Sequence, residues 1–172
     1  MRRYQSGLTL LELLITVALA AVLLGVGIPS FQRAFEAART GQWTRDISSF
    51  VGLARTEALQ RGQTVLIEPT GADWSTEWGL GPDLDGDGAL DANEIIHRMA
   101  GVAATDFTMV DRNGTDLLQL EFDSRGWPPL RLATPISIGF QPDGCSAPDE
   151  HRRAMTIRPN GGMGPSEKQE CI

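Results

Sequence analysis

Acidic side chains are concentrated in residues 83–94, which read DLDGDGALDANE. Carboxylates occupy positions 1, 3, 5, 9 and 12 of this segment, with glycine at position 6 and an apolar residue at position 8. Calcium takes about six to eight hard oxygen ligands, and this spacing lets one tight loop supply them. The candidate ligands are the side chains of five acidic residues and one main-chain carbonyl: Asp83, Asp85, Asp87, Asp91, Glu94 and the carbonyl of Ala89. The segment is therefore a candidate calcium site.

A second interpretation of this segment stays open. The residues before it, 78–82, read WGLGP and cannot form the helix that precedes the loop in an EF-hand. A solvated acidic β-hairpin that binds no metal has the same composition. The five carboxylates repel one another and no basic residue lies among them, so a divalent cation would relieve the repulsion.

Another carboxylate, Glu12, lies within an almost unbroken apolar run from Leu8 to Ile28. The run has 21 residues, and an α-helix needs about 20 to cross a hydrocarbon core of about 30 Å. A carboxylate within that core costs about 2.5–3.5 kcal/mol or more, so we expect Glu12 to have a partner. The nearest candidate is the α-amine that cleavage after Gly7 would create at Leu8.

This N-terminus resembles that of type IV prepilins and type II secretion pseudopilins. It has a basic leader with Arg2 and Arg3, a glycine before the cut and a glutamate as fifth residue of the mature chain. The resemblance implies cleavage after Gly7 by a prepilin peptidase and N-methylation of Leu8, where the family usually has phenylalanine. It also implies an inner-membrane assembly platform and other pilins as partners, in a type IV pilus or a type II secretion pseudopilus. Glu12 would neutralise the Leu8 amine of a neighbouring subunit.

Two plainer interpretations compete with the prepilin one. An ordinary secretory signal peptide could be cut after Ala18-Leu19-Ala20, which would release a secreted domain. A plain membrane anchor could tolerate the glutamate. The signal-peptide interpretation leaves Glu12 unexplained, and the apolar run continues eight residues beyond Ala20. We therefore predict a single-pass protein of the bacterial inner membrane, with a periplasmic C-terminal domain.

Helical periodicity continues beyond Pro29, which marks a kink, and Gly62 is placed to end the helix after Arg61. The predicted apolar stripe, which should lie on a sheet, is Phe31, Phe35, Trp43, Ile47, Phe50, Ala54 and Ala58. The predicted segments are a leader (1–7), a transmembrane helix (8–28), its amphipathic continuation (29–62) and a globular β-rich periplasmic domain (63–172).

After Gln63 the pattern changes to short strands, with a hairpin turn at Asn113-Gly114. We predict an α+β fold in which the long helix packs on one antiparallel sheet of about six to eight strands. The glycine-rich tail 160–165 is expected to be mobile. The predicted strands are Thr64–Glu68, Ile95–Met99, Phe107–Val110, Leu117–Phe122, Leu130–Leu132, Ile136–Phe140 and Ala154–Arg158.

The C-terminal half resembles the FimT/GspH group of minor pilins and pseudopilins. The resemblance rests on the stretch Arg55-Thr56-Glu57-Ala58, the element Trp78-Gly79, the acidic loop after it and the two late cysteines. It covers nearly the whole chain and implies a structural, interaction-based function. A DNA-uptake pilin or an adhesive tip pilin is the alternative within this group.

The cysteines, the histidines and the net charge each restrict the class of protein. In a domain outside the cytoplasm, Cys145 and Cys171 most simply form a disulfide. The two histidines, His97 and His151, lie in no catalytic or metal-ligand motif, so we predict that the chain is not an enzyme. Without residues 1–7 the chain has 13 basic and 22 acidic residues, a net charge of −9. That balance disfavours nucleic acid as a partner.

Overall fold

The computed structural model describes residues 9–102, 104, 106–129 and 134–172; within the helix it describes all side chains except those of 26–30, 32 and 33. The chain forms two compact units, Met1–Ala38 and Arg39–Ile172. In the part of the chain that the structure describes, no helix combines the length and the hydropathy needed to cross a membrane.

Helix α1 extends from Leu10 to Arg61, and both of its ends are capped. At the N-terminus, Thr9 Oγ1 accepts a hydrogen bond from the main-chain N–H of Glu12 at 3.2 Å, as an N-cap residue does. At the C-terminus, Gly62 has a φ of 64° and its N–H donates to the carbonyl of Ala58 at 2.9 Å. This left-handed conformation favours glycine, so the helix ends where the sequence predicts.

The core-facing side of α1 in the second unit begins later than predicted. Ile47, Phe50, Val51, Ala54 and Ala58 are buried at helical spacing, and Trp43 is partly buried against the same core. The prediction that the stripe includes Phe31 and Phe35 was wrong, because both belong to the first unit and are exposed.

The described residues after α1 form eight short strands, which make two antiparallel sheets rather than the single sheet predicted. The first sheet has the order β3-β2-β1-β5 and the second β4-β6-β7-β8. The strands are β1 (Val65–Pro69), β2 (Trp78–Pro82), β3 (His97–Met99), β4 (Thr108–Val110), β5 (Leu120–Phe122), β6 (Ile136–Phe140), β7 (Arg152–Ile157) and β8 (Glu167–Gln169).

The Asn113-Gly114 turn is present, but it does not join two strands of one sheet. Asp111 Oδ1 accepts hydrogen bonds from the N–H groups of Asn113 and Thr115, and Gly114 has a φ of 81°. The returning chain makes a bridge between Val110 and Asp116 and then enters β5 of the first sheet. The turn itself was therefore predicted correctly, whereas the strand that follows it joins the other sheet.

Two strands were not predicted, and one prediction cannot be compared. β2 contains two glycines and a proline, and the three residues of β8 are all exposed, so neither has a clear strand pattern. The predicted strand Leu130–Leu132 lies outside the described residues. The expectation of a mobile tail was wrong, because Gly161 and Gly164 donate main-chain hydrogen bonds to Arg158 and Thr156.

The core of the second unit contains a cluster of aromatic rings. Trp78 is fully buried and its ring centroid lies 4.6 Å from that of Trp74 and 5.4 Å from that of Phe107. The Trp78 indole donates to the Trp74 carbonyl, and the Trp74 indole donates to the Leu117 carbonyl. Buried indole N–H groups need such acceptors, so these bonds connect the loop before β2 to the segment before β5.

The last residues of the chain are attached to the second unit by covalent and polar contacts. Cys145 and Cys171 form a disulfide with Cα atoms 5.6 Å apart. The buried side-chain amide of Gln141 accepts a hydrogen bond from the N–H of Ile172 and donates one to its carbonyl. Because both the oxygen and the NH2 group of this amide are hydrogen-bonded to Ile172, they hold that residue in one position.

Candidate functional site

The predicted processing and assembly residues lie at the start of α1. Gly7 and Leu8 lie outside the described residues. Glu12 is in the first turn of the helix, is exposed and has no ion-pair partner within the described part of the chain. The apolar side chains around it are also exposed, as in Leu10 (79 %) and Leu11 (67 %). An exposed apolar surface of this kind is typical of a segment that contacts lipid or other protein chains.

The candidate calcium loop connects β2 to β3, which pair with each other in an antiparallel hairpin. A Cβ built at Gly79 would lie 3.2 Å from Leu90 Cδ2 and 3.1 Å from Ile95 Cδ1. One built at Gly81 would lie 2.0 Å from the carbonyl oxygen of Glu94. The loop therefore folds back onto β2, and it can do so because this strand has no side chains at the two contact points.

Three of the predicted calcium ligands lie together. Carboxylate oxygens of Asp83, Asp85 and Asp87 are all within 4.8 Å of one another. Asp83 accepts hydrogen bonds from the N–H groups of Gly86 at 2.8 Å and Gly88 at 3.2 Å. These bonds turn the backbone so that alternate carboxylates converge, and Gly86 has the positive φ (77°) that the turn requires.

Glu94, the predicted ligand at the end of the segment, lies inside the loop. Its side chain is buried, with Oε1 accepting from the N–H of Leu84 at 2.8 Å and Oε2 from the N–H of Asp91 at 3.1 Å. It thereby closes the loop through hydrogen bonds, and neither Glu94 nor Asp91 belongs to the converging group. A carboxylate has about four lone-pair sites, so each Glu94 oxygen keeps acceptor capacity beyond these bonds.

Residues distant in sequence also contact the loop. The amide of Gln119 donates to the carbonyl of Gly88 at 2.6 Å and to the carboxylate of Glu68. Sequence reasoning missed Gln119 because its contact joins the segment before β5 to a loop 31 residues away. Arg98, the nearest cation in sequence, forms an ion pair with Glu77.

The histidines do not form a catalytic arrangement with the residues the structure describes. His97 lies in β3, with Nε2 3.7 Å from Glu57 Oε1 on α1. Glu57 also accepts a hydrogen bond from Arg61 Nε at 2.7 Å. This bond from Arg61 is the largest of the effects that lower the pKa of Glu57 below its usual value. His97, Glu57 and Arg61 therefore form a polar contact between α1 and β3.

Two family profiles match this chain. The profile of the family described as "Type II transport protein GspH" matches residues 44–162, and that of the "Prokaryotic N-terminal methylation motif" matches residues 2–28. A comparison with curated protein sequences gave no match.

Three crystal or solved structures are similar to this chain at 16 % identity. Two are crystal forms of the type IV minor pilin FimU of Pseudomonas aeruginosa. The P21 form has a TM-score of 0.52 and the alignment covers 82 % of this chain and 98 % of that one. For the P65 form the values are 0.53, 78 % and 98 %. The third is the minor pseudopilin EpsH from the Type 2 Secretion System of Vibrio cholerae, with a TM-score of 0.45 and coverage of 77 % and 97 %.

The capped N-terminal helix and the two antiparallel sheets define a pilin-like α+β subunit, the fold that FimU also has. The GspH profile covers more than half of the chain, and the chain therefore belongs to the family of the type II transport protein GspH. The sequence prediction of a FimT/GspH-type subunit is confirmed.

Proposed function

We propose that this chain is a membrane-anchored minor pilin or pseudopilin that assembles into a type IV pilus or a type II secretion pseudopilus. The observation that carries the proposal is the joint presence of an N-terminal methylation motif over residues 2–28 and a GspH domain over 44–162. The exposed apolar side chains at the start of α1 support it, because they offer a surface for lipid or for neighbouring helices.

The proposed maturation is cleavage after Gly7 by a prepilin peptidase and methylation of the new Leu8 amine. Intact-mass measurement and N-terminal sequencing of membrane-extracted protein should find residues 1–7 missing and one methyl group added. Substitution of Gly7 should block cleavage. Gly25→Ala is the matched control, since no atom lies within 4 Å of the added Cβ. A mature chain that begins at Ala21 would instead identify an ordinary signal peptide.

The proposed topology is a single crossing of the bacterial inner membrane by residues 8–28, with the second unit in the periplasm. Arg2 and Arg3 on the N-terminal side support this orientation. Protease added to spheroplasts should digest the second unit. Protection of the domain until the membrane is lysed would contradict the topology.

In the filament, Glu12 is proposed to pair with the Leu8 amine of a neighbouring subunit, because hydrocarbon solvates neither charge. Glu12→Ala should be inserted and cleaved, since losing a charge makes the helix more soluble in lipid, but it should enter filaments poorly. Glu12→Asp keeps the charge and is the control, with a smaller expected defect. Equal incorporation of Glu12→Ala and the unchanged chain would refute the pairing.

We also propose that the loop 83–94 binds calcium through its carboxylates. The convergence of Asp83, Asp85 and Asp87 oxygens within 4.8 Å favours it, because a divalent cation at their centre would remove their mutual repulsion. A site with an affinity of about 0.1–1 mM would be occupied outside the cell.

Calorimetric titration of the full chain and melting at rising calcium concentration would test the calcium proposal. A ligand of the native state raises the melting temperature with its concentration. Asp83→Ala should remove that rise, whereas Glu170→Gln, an exposed acid outside the loop, should keep it. If millimolar calcium changes neither heat nor melting, the loop is only an acidic hairpin.

A further inference from the structure

The outer face of the second sheet, opposite the core side chains of β6, has a shallow groove of about 280 Å³. The register places Gly139 beside Ala154, and these small residues form the floor of the groove. Thr108 pairs with Gly139, and Ser137 pairs with Thr156, so hydroxyl groups surround the floor. Alternation along the strands directs all of these residues away from the core.

The guanidinium of Arg152 lies in this groove across Gly139. A Cβ built at Gly139 would lie 3.1 Å from Arg152 Nη2 and 2.9 Å from Thr108 Oγ1, so the lack of a side chain at 139 leaves room for the guanidinium. Arg152 Nε is enclosed by protein and has no hydrogen-bond partner among the residues that the structure describes. An acceptor from outside the chain would therefore bind the terminal Nη groups of Arg152, which carry four further N–H donors and of which Nη2 lies over Gly139.

The carboxylate found among the described residues of the groove does not form an ion pair with Arg152. Among the described residues that line it, Glu167 alone carries a carboxylate. Glu167 is exposed on the edge strand β8, and the ion pairs found among the described residues do not include Arg152. The Arg152 guanidinium therefore has no ion-pair partner among the described residues.

We propose that this groove binds an acidic side chain of a neighbouring subunit, with Arg152 as the anchor; the inference rests on the proposed filament function. A carboxylate can accept two parallel hydrogen bonds from one guanidinium, and the hydroxyls of Thr108, Ser137 and Thr156 can donate to it as well. A polyphosphate fits less well, because the described residues that line the groove include one cation and the carboxylate of Glu167, and the net charge of the chain is −7.

Binding of a carboxylate can be measured on the full chain in detergent, labelled with ¹⁵N. The Nε–H resonance of Arg152 is followed while the probe, N-acetylglutamate α-amide, is added, with N-acetylglutamine amide as its neutral control. The acidic probe should produce a saturable shift and the neutral probe none. Inorganic phosphate and a short DNA duplex are titrated in parallel.

Variants then test the residues of the groove, with binding followed through the backbone amides of Gly139 and Ala154. Arg152→Lys keeps the charge but loses the planar donor fork, so the affinity for the probe should fall about tenfold or more. Arg158→Lys, at an exposed arginine outside the groove, should leave it unchanged. Glu167→Gln removes a repelling charge and should strengthen binding. All variants should melt close to the unchanged chain.

Several outcomes would overturn the groove assignment: no saturable shift, equal shifts with both amide probes, equal binding by Arg152→Lys, or tighter binding of phosphate or DNA. A second arm measures incorporation into filaments in cells. Arg152→Lys should be cleaved normally but enter filaments less than Arg158→Lys does, and equal incorporation would overturn the neighbouring-subunit assignment. If the unchanged chain enters no filament, both the proposed function and the neighbouring-subunit assignment fail. The resonance shifts still decide, independently, whether the groove binds a carboxylate.

Discussion

Substituting Gly81 by alanine should detach the acidic loop from β2. The added Cβ would lie 2.0 Å from the carbonyl oxygen of Glu94 and 2.7 Å from its carbon. Both are main-chain atoms, which cannot move aside by a rotamer change, so the loop itself has to shift. We therefore expect Gly81→Ala to displace residues 90–95 while the core side of β2 stays in place.

The cost of this displacement follows from the side chains that lose their contact. Leu90 and Ile95 lie over the glycines of β2 and are half-buried. Full burial of such a side chain is worth about 1.5–3 kcal/mol, so half-burial of the two together is worth about 2 kcal/mol. For a domain of this size, that loss lowers the melting temperature by about 5–10 °C.

Thermal unfolding of the full chain, followed by circular dichroism, measures this change. Gly52→Ala is the matched control: Gly52 lies inside α1 with no atom within 4 Å of the added Cβ, and the substitution should stabilise by about 0.5–1 kcal/mol. Gly81→Ala should also weaken any rise in melting temperature with calcium, because the loop loses its support. An unchanged melting temperature for Gly81→Ala would refute the packing argument.

Three further predictions follow from local contacts. Because the hydrogen bond from Arg61 lowers the pKa of Glu57, the contribution of Glu57 should be complete above the carboxyl's ordinary pKa and vanish as the pH falls through the lowered one. Urea unfolding of the unchanged chain and Glu57→Gln should therefore converge at low pH, and a constant gap would contradict this. Thiol labelling of the unreduced, unfolded protein should find Cys145 and Cys171 blocked, and replacing both by serine should cost about 3 kcal/mol for the loop of 26 residues. Gly161→Ala should destabilise more than Gly25→Ala, since Gly161 has a φ of 73° and its added Cβ would lie 2.1 Å from the carbonyl oxygen of Gly126; equal melting temperatures would refute it.

Much of the fold could be predicted from the sequence because the relevant interactions are local. The end of α1 follows from the conformational freedom of Gly62, and β6 follows from apolar residues between turn signals. The convergence of Asp83, Asp85 and Asp87 is likewise local, since alternate positions of a tight loop supply the three carboxylates. The class of protein follows from the N-terminal motif together with the helix and strand order.

The tertiary structure decided what depends on distant residues. It divided the strands into two sheets, because β5 pairs with β1, whereas the chain just after the Asp111 turn is bridged to β4 at Val110 and Asp116. It placed Glu94 inside the loop as a hydrogen-bond acceptor and brought Gln119 to the loop from the segment before β5. It also put Arg152 over Gly139, a contact that depends on the register between β6 and β7. Spacing along a chain fixes which side chains share a loop or a helix face, whereas register and sheet order follow from the packing of the whole core.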